Sequence, residues 1–306
     1  MRLIFFPLNC SRFRGVAFKS ILRACRAAVL LWCGCAWSQG GPALVADLNE
    51  TVIQIPVSVN GQQTDTQMVG TLFKPDGDGP FPFAIINHGR AGTPVERAQV
   101  PRWRYVEQAR WLVRRGFVVI VPTRRGYGGT GGADVESSYN CANPWYREAM
   151  AGGVESVLAA IEYAKAQTYV DPRRFIVVGQ SVGGYLAVGV AAAAPAGLLA
   201  AVNFAGGSGG DPQRHPAVPC APEKLAQVYA DAGKTARVPM LWVYTENDQY
   251  FGPDFARAWH REFVNAGGRA ELEIMPPFQT DGHRLFVQGI AIWRPVVEAF
   301  FAKIGL

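Results

Sequence analysis

A serine framed by glycines is the residue of this chain best suited to nucleophilic chemistry. Ser181 lies in the sequence GQSVG, residues 179–183, which follows the apolar, β-branched residues 175–178 and precedes a run of small and aliphatic residues. This order predicts a strand, a tight turn and a helix, with glycines beside the serine because a larger side chain would collide with the neighbouring backbone. The pattern is typical of a nucleophile elbow, and Ser181 is its predicted nucleophile.

A second GxSxG sequence, residues 206–210, is centred on Ser208. It also follows a strand-like run, residues 198–204, but the glycines after the serine lead into Asp211 and Pro212, and this sequence cannot start a helix at the serine. No helix N-terminus would then face Ser208. The context favours Ser181, and a purely structural serine is the remaining alternative.

A nucleophilic serine needs a base to take its proton and an acid to orient that base. The chain has four histidines. His283 lies between the last predicted strand and the last predicted helix, which places it at the carboxyl edge of a parallel sheet. His215 is the second candidate, whereas His88 lies upstream of the serine and His260 in the middle of a predicted amphipathic helix. We expect His283 to be the base.

The acid is expected at the end of another strand. Residues 240–244 have the apolar pattern of a strand and run into a loop that contains Asp248. Asp248 is the predicted acid, with Glu246 and Asp254 as alternatives. The resulting chain order of Ser181, Asp248 and His283 is that of one fold among the several that carry such a triad.

Strands and helices alternate over residues 50–306, which predicts one α/β domain with a mostly parallel central sheet and helices on both faces. The predicted strands are residues 51–59, 68–73, 81–87, 117–121, 175–178, 199–204, 240–244 and 270–275. The predicted helices are residues 97–115, 146–166, 184–194, 223–232, 255–266 and 286–304. Two insertions, residues 126–143 and 206–236, are expected to form a small lid over the carboxyl ends of the strands.

Residues 1–38 contain six basic residues and no acidic one, and an apolar run over residues 27–37. They predict a cleaved signal peptide, and therefore a periplasmic or secreted protein; retention as an N-terminal membrane anchor is the alternative. Residues 39–49 are expected to be a flexible entry. Without those six, the 30 Lys and Arg residues of the chain fall to 24, equal to its 24 acidic residues. A neutral mature chain offers no electrostatic basis for binding nucleic acid or an anionic membrane.

Two of the six cysteines, Cys141 and Cys220, lie outside the predicted leader and in loop-like surroundings. In an exported protein such a pair favours one disulfide, and two free thiols are the alternative. A bond between them would tie the two lid insertions together.

Four short motifs occur in order along the chain: HGRAG (residues 88–92), GQSVG (179–183), TENDQYFGP (245–253) and DGH (281–283). Together they resemble the α/β-hydrolase superfamily, and within it the dienelactone hydrolase and prolyl-oligopeptidase-like branch, over about residues 50–306. The resemblance implies acyl transfer by Ser181, His283 and Asp248 without a cofactor, and an oxyanion hole made by the backbone amides of Val182 and Arg90. Dienelactone hydrolases proper use a cysteine nucleophile, so Ser181 favours an ordinary ester over their lactone substrate.

The sequence thus predicts a serine hydrolase that cleaves carboxylic esters of small molecules through an acyl-enzyme. A peptidase acting on small peptides and a non-catalytic binding protein of the same fold are the alternatives. Tyr127, Tyr250 and Phe251 are expected to line the substrate pocket. Residues 126–131 also match the GxGxxG pattern of a dinucleotide site, but no helix entry follows them. The histidines are scattered and lack metal-ligand spacing, so no metal is expected.

Overall fold

One mixed sheet of eight strands runs through the part of the chain that the computed structural model describes, residues 42–59, 62–138 and 140–306. The strand order is β1-β2-β4-β3-β5-β6-β7-β8. The β1–β2 and β2–β4 pairs are antiparallel, and every other neighbouring pair is parallel. The strands are β1 Thr51–Val59, β2 Gln62–Phe73, β3 Phe81–Asn87, β4 Val118–Pro122, β5 Val170–Gln180, β6 Leu198–Phe204, β7 Met240–Thr245 and β8 Ala270–Met275.

Helices cover both faces of this sheet, as the alternating pattern predicts. Helices α3 to α6 contribute to the apolar core on one face, and α2, α7 and α8 to the core on the other. The helices are α1 Pro94–Gln99, α2 Val106–Arg114, α3 Tyr146–Lys165, α4 Val182–Ala193, α5 Pro222–Gly233, α6 Pro253–Asn265, α7 Leu285–Gln288 and α8 Ile290–Ile304. The predicted α/β-hydrolase architecture is therefore confirmed.

Strand β5 shows why the central strands are continuous apolar runs. Phe175 and Val177 belong to the core under α3 to α6, whereas Ile176 and Val178 belong to the core under α2 and α8. Successive residues of a strand face opposite sides, so a strand covered on both faces needs apolar residues at every position. The Phe175 ring also stacks on that of Phe83 in β3, with ring centroids 4.6 Å apart.

Two helices expected to be continuous are each divided in two. The predicted helix at residues 97–115 is α1 and α2, separated by a segment that contains Pro101. Proline lacks the amide hydrogen that a helix interior uses. The side chain of Thr93 caps α1 in a reciprocal arrangement with Glu96. The predicted helix at residues 286–304 is α7 and α8, which are separated at Gly289.

Part of the second predicted insertion, residues 206–236, is the helix α5. Helix α5 buries Leu225, Val228 and Tyr229 in the core, so it belongs to the layer that covers the sheet. Only residues 206–221 remain as an irregular rim segment.

The predicted signal peptide, residues 1–38, lies outside the described residues, as does the entry segment up to residue 41. Within the described ranges, no single helix is long and apolar enough to cross a membrane. The segments Gly282–Gln288 and Ile290–Ile304 reach that length and composition only as a pair, which is bent by 82°.

We expect Phe175→Ala to lower the free energy of unfolding by about 3–5 kcal/mol, because it leaves a cavity in a fully buried site and removes the stack on Phe83. Ile292→Ala, at a position that is 48% exposed on α8, is the control and should change stability by less than about 0.5 kcal/mol. Urea denaturation followed by tryptophan fluorescence measures both. Equal losses in the two variants would contradict the described core.

Candidate active site

Ser181 occupies the turn between β5 and α4 in a conformation that L residues rarely adopt, with φ 59° and ψ −126°. Its glycine neighbours are required by packing. A Cβ atom on Gly179 would lie 2.0 Å from the carbonyl oxygen of Gly183, and one on Gly183 would lie 2.2 Å from that of Asn87. The strained turn therefore depends on the two glycines, as the elbow pattern predicts.

Asp248 follows β7 and is buried. Its Oδ1 atom accepts hydrogen bonds from the backbone amides of Tyr250, at 2.8 Å, and Phe251, at 2.9 Å. These bonds hold the carboxylate in one orientation. The two alternative acids, Glu246 and Asp254, are exposed to solvent.

His283 lies in the loop after β8, and its Nδ1 atom is 3.0 Å from Oδ2 and 3.1 Å from Oδ1 of Asp248. An imidazole that donates its Nδ1 hydrogen to a carboxylate keeps Nε2 as a proton acceptor. The structure thus brings the predicted acid and the predicted base into contact. The other base candidates differ: His215 is exposed, and His260 Nε2 lies 2.9 Å from the carbonyl oxygen of Ala270.

Gln180 connects the predicted base to the turn that carries Ser181. Its side-chain amide donates a hydrogen bond of 3.1 Å to the carbonyl oxygen of His283, and Ser181 is the next residue. Among the described residues, no hydrogen bond joins the Ser181 hydroxyl to the His283 ring. In free enzymes this bond is often long and tightens only with substrate.

Two further side chains hold the acid turn and the base loop together. Oδ1 of Asp281 accepts from the amides of His283, at 3.0 Å, and Gln249, at 3.1 Å. Oδ1 of Asn247 accepts from the amide of Phe278 at 2.9 Å. The roles of Gln180, Asp281 and Asn247 could not be predicted from the sequence, because nothing in the local sequence distinguishes a side chain that bridges two strand ends.

The loop that follows β3 lies directly against the elbow. A Cβ atom on Gly89 would lie 3.2 Å from Cβ of Ser181. Among the described residues, neither the amide of Arg90 nor that of Val182, the first residue of α4, has a hydrogen-bond acceptor. Two unpaired amides beside a nucleophile are what an oxyanion hole requires.

His88 fixes the peptide that carries the Arg90 amide. Its Nδ1 donates to the carbonyl oxygen of Gly89 at 2.6 Å, and its Nε2 accepts from the amide of Arg124 at 3.1 Å, so the ring is neutral. Burial and the nearby Arg124 charge hold the pKa of His88 well below its ordinary value. In a trans peptide the carbonyl and the amide point in opposite directions, so the Arg90 amide points away from His88.

A fully buried ion pair supports the loop that follows β3. Arg124 pairs with Glu136 and donates to the carbonyl oxygen of His88 at 2.8 Å. The hydroxyl of Tyr127 donates to Glu136 at 2.7 Å, and the Tyr127 ring packs edge-on against His88. Tyr127 is 0% exposed, so the expectation that it lines the substrate pocket was wrong. Its polar end is occupied by the ion pair.

The side chain of Arg90 is likewise held in place. It forms two hydrogen bonds to Asp134, at 2.7 and 2.5 Å, and Arg97 lies 2.8 Å from the same carboxylate. Burial on its own raises the pKa of Asp134, but the hydrogen bonds and the charge of Arg90 outweigh it and lower that pKa below its ordinary value. The guanidinium group of Arg90 is thus already paired.

A cleft of about 630 Å³ has Arg90 and Tyr250 in its wall, whereas Ser181, Asp248 and His283 are not among its lining residues. Phe251 does not line it: the side chain is 1% exposed and packs against His283 and Trp259, so this part of the expected pocket was also wrong. The lining residues are mostly polar or small: Arg90, Gly92, Thr93, Glu96, Ser137, Ser138, Asn140, Cys141, Gly209, Gly210, Asp211, Pro212, Gln213, Arg214, His215, Cys220 and Tyr250.

The two rim segments that line the cleft are covalently joined. Cys141 and Cys220 form a disulfide with their Cα atoms 4.9 Å apart. The bond connects the segment before α3 to the segment after β6, which is the connection that the sequence led us to expect.

The GxGxxG sequence at residues 126–131 does not form a dinucleotide site. Gly128–Thr130 is one turn of 3-10 helix, and the Thr130 hydroxyl donates to the carbonyl oxygen of Thr123 at 2.6 Å. In the described chain the next helix, α3, begins only at Tyr146. No helix N-terminus therefore follows the glycines to receive a pyrophosphate.

Residues 71–283 match the family model described as the dienelactone hydrolase family. The chain belongs to this family. That membership makes it a hydrolase. None of the curated proteins matches its sequence.

Several solved structures have a similar fold. A Klebsiella pneumoniae protein described as a candidate dienelactone hydrolase has a TM-score of 0.56 and 16% identity, covering 84% of this chain and 98% of that one. An esterase from Pyrococcus furiosus has a TM-score of 0.56 and 13% identity, covering 85% and 92%. An acylaminoacyl peptidase from Pyrococcus horikoshii has a TM-score of 0.56 and 13% identity, covering 79% and only 39%. At these identities the likeness shows the shared fold alone.

We expect Glu136→Gln to lower the free energy of unfolding by about 3–5 kcal/mol, because it leaves the Arg124 charge buried without its partner. Glu155→Gln is the matched control, since the Arg125–Glu155 pair is partly exposed, and it should cost about 0–1 kcal/mol. Chemical denaturation measures both values. Similar losses in the two variants would show that the buried pair does not support the loop.

Proposed function

We propose that this member of the dienelactone hydrolase family is a serine hydrolase that cleaves carboxylic esters of small molecules through an acyl-enzyme. The observation that carries the proposal is the hydrogen-bonded pair of Asp248 and His283 at the carboxyl edge of the sheet, joined through Gln180 to the strained Ser181. A nucleophile, a base and an orienting acid then come from the ends of three strands of one sheet.

The proposed reaction begins when the neutral His283 ring takes the hydroxyl proton of Ser181. The serine Oγ attacks the ester carbonyl carbon, and the amides of Val182 and Arg90 stabilise the negative oxygen of the tetrahedral intermediate. The intermediate collapses to an acyl-serine, and His283 returns the proton to the departing alcohol. Water, activated by the same ring, then releases the carboxylic acid and regenerates the serine.

Metal or cofactor chemistry is not needed for these steps, because serine, imidazole and backbone amides supply the nucleophile, the proton transfer and the charge stabilisation. The disulfide supports the further proposal that the protein works in the periplasm or outside the cell, where such bonds persist. A small-molecule ester is the proposed partner.

We expect Ser181→Ala to lower turnover of p-nitrophenyl acetate by about four to six orders of magnitude, since the acyl-enzyme can no longer form. Labelling with a fluorophosphonate followed by peptide mapping should place one adduct on Ser181. Ser208→Ala, the matched control from the second GxSxG sequence, should still be labelled at Ser181. An adduct on Ser208, or turnover retained in Ser181→Ala, would overturn the proposal. A folded protein that neither reacts nor turns over substrate would instead support the non-catalytic binding protein.

The polar lining of the cleft predicts a preference for short acyl groups. Each added methylene contributes about 0.8 kcal/mol only where it is buried against apolar atoms, and polar atoms make up the larger part of this cleft's lining. Across p-nitrophenyl esters we expect kcat/KM to fall from acetate to decanoate. A parallel series of aminoacyl p-nitroanilides tests the peptidase alternative. Rising kcat/KM with chain length, or faster anilide cleavage, would contradict the proposed substrate class.

A further inference from the structure

The turn after Asp248 holds the imidazole as well as the carboxylate. The Tyr250 ring stacks on His283 with centroids 4.2 Å apart and planes inclined by 27°, and the Phe251 ring lies edge-on at 5.4 Å. These are the residues whose amides bind Oδ1 of Asp248. One short turn therefore restrains both members of the acid–base pair, the acid through its backbone and the base through its side chains.

The glycine run at residues 206–210 packs against these two rings. A Cβ atom on Gly207 would lie 2.7–2.9 Å from three atoms of the Phe251 ring, and one on Gly210 would lie 3.0 Å from Cβ and Cδ1 of Tyr250. Larger residues would displace the rings. This packing accounts for the second GxSxG sequence, since its glycines allow the backbone to lie against the aromatic side chains that contact His283.

The same rim segment is bonded to the acid turn. The amide of Ala217 donates to the carbonyl oxygen of Gln249 at 2.7 Å. The amide of Gly252 donates to the carbonyl oxygen of Ala217 at 2.9 Å. The amide of Cys220 donates to the carbonyl oxygen of Gly209 at 2.9 Å. The Cys141–Cys220 bond thus anchors a segment that contacts the turn at its rings and at its backbone.

We propose that Tyr250 is a positioning residue for the His283 base, and that the disulfide-anchored segment, residues 206–220, holds Tyr250 and Phe251 against that ring. The inference rests on the proposed function, in which His283 is the base. Proton transfer requires the imidazole within hydrogen-bond reach of the serine, and displacement of a reacting group by about 1 Å can cost about 100-fold in rate. Because Asp248 restrains His283 only at Nδ1, the stacked ring supplies a second restraint, on the plane of the imidazole.

The decisive comparison is between Tyr250→Leu and Tyr250→Phe. Leucine removes the stacking surface, so we expect kcat for p-nitrophenyl acetate to fall about 10- to 100-fold with KM changed by less than about twofold. Phenylalanine keeps the ring and should restore most of the lost kcat. Tyr163→Leu, which alters an aromatic residue of α3 outside the site, is the control for general destabilisation.

The low-field proton NMR signal of the His283 Nδ1 hydrogen gives a readout independent of turnover. We expect it in the wild type and in Tyr250→Phe, and expect it to be weakened or lost in Tyr250→Leu at an unchanged far-UV spectrum. An unchanged kcat in Tyr250→Leu would overturn the inference, as would a rise in KM alone, which would make Tyr250 a substrate contact. Failure of Tyr250→Phe to restore kcat would also overturn it.

Reduction of the wild-type disulfide tests the second part without any substitution. Brief treatment with a phosphine reductant, followed by alkylation, should lower kcat, as we expect for Tyr250→Leu, while the protein remains folded. An unchanged kcat after complete reduction would show that the bond does not support the base.

The experiments distinguish failure of the positioning role from failure of the proposed function. A wild-type protein that neither reacts with fluorophosphonate nor hydrolyses esters would contradict the serine hydrolase itself, whatever the Tyr250 variants do. A wild type labelled at Ser181, together with a fully active Tyr250→Leu variant, would contradict only the positioning role.

Discussion

The backbone of Ser181 is strained, and the surrounding packing keeps it so. The turn persists because β5, α4 and the end of β3 approach each other more closely than any side chain would permit at Gly179 or Gly183. A strained backbone conformation persists only where the packing around it contributes more free energy than the strain costs. The buried ion pair of Arg124 and Glu136 and the apolar cores on both faces of the sheet also help to maintain this turn, because they fix the elements that meet at it.

The proposed acid and base depend on further support. Their loops follow β7 and β8, the last two strands of the sheet, and meet at a close glycine contact, since a Cβ atom on Gly282 would lie 2.6 Å from Oδ1 of Asn247. Polar bridges add to this contact: Asp281 and Asn247 join the two loops, and Gln180 joins the loop of His283 to the elbow. Steric exclusion thus fixes the turn of the proposed nucleophile, whereas hydrogen bonds and aromatic contacts add to glycine packing at the proposed acid–base pair.

Ser181 and Asp248 could be placed at strand ends from the sequence because each follows an apolar run, which is typical of a buried strand. His283 follows β8, in which apolar residues alternate with Glu271 and Glu273. The environment of a loop side chain is not encoded locally. Tyr127 is an aromatic residue in a predicted rim loop, as pocket residues often are, but its hydroxyl donates a hydrogen bond to the buried carboxylate of Glu136. That contact forms only in the folded chain and cannot be predicted from the local sequence. The break between α1 and α2 contains Pro101, which lies inside the single helix predicted for residues 97–115. Phe251 adjoins a cleft residue, yet its ring turns into the core.

The cysteines lie 79 residues apart, on either side of the nucleophile elbow, whereas Asp248 and His283 lie outside the loop that they close. A protease that cuts the chain anywhere between Cys141 and Cys220 would therefore release no fragment, because the bond keeps both pieces in one covalent molecule. In an environment rich in proteases, the cleft can be nicked at its rim without separation of the piece that carries the base. That tolerance follows from the connectivity alone and does not depend on the strength of any contact in the cleft.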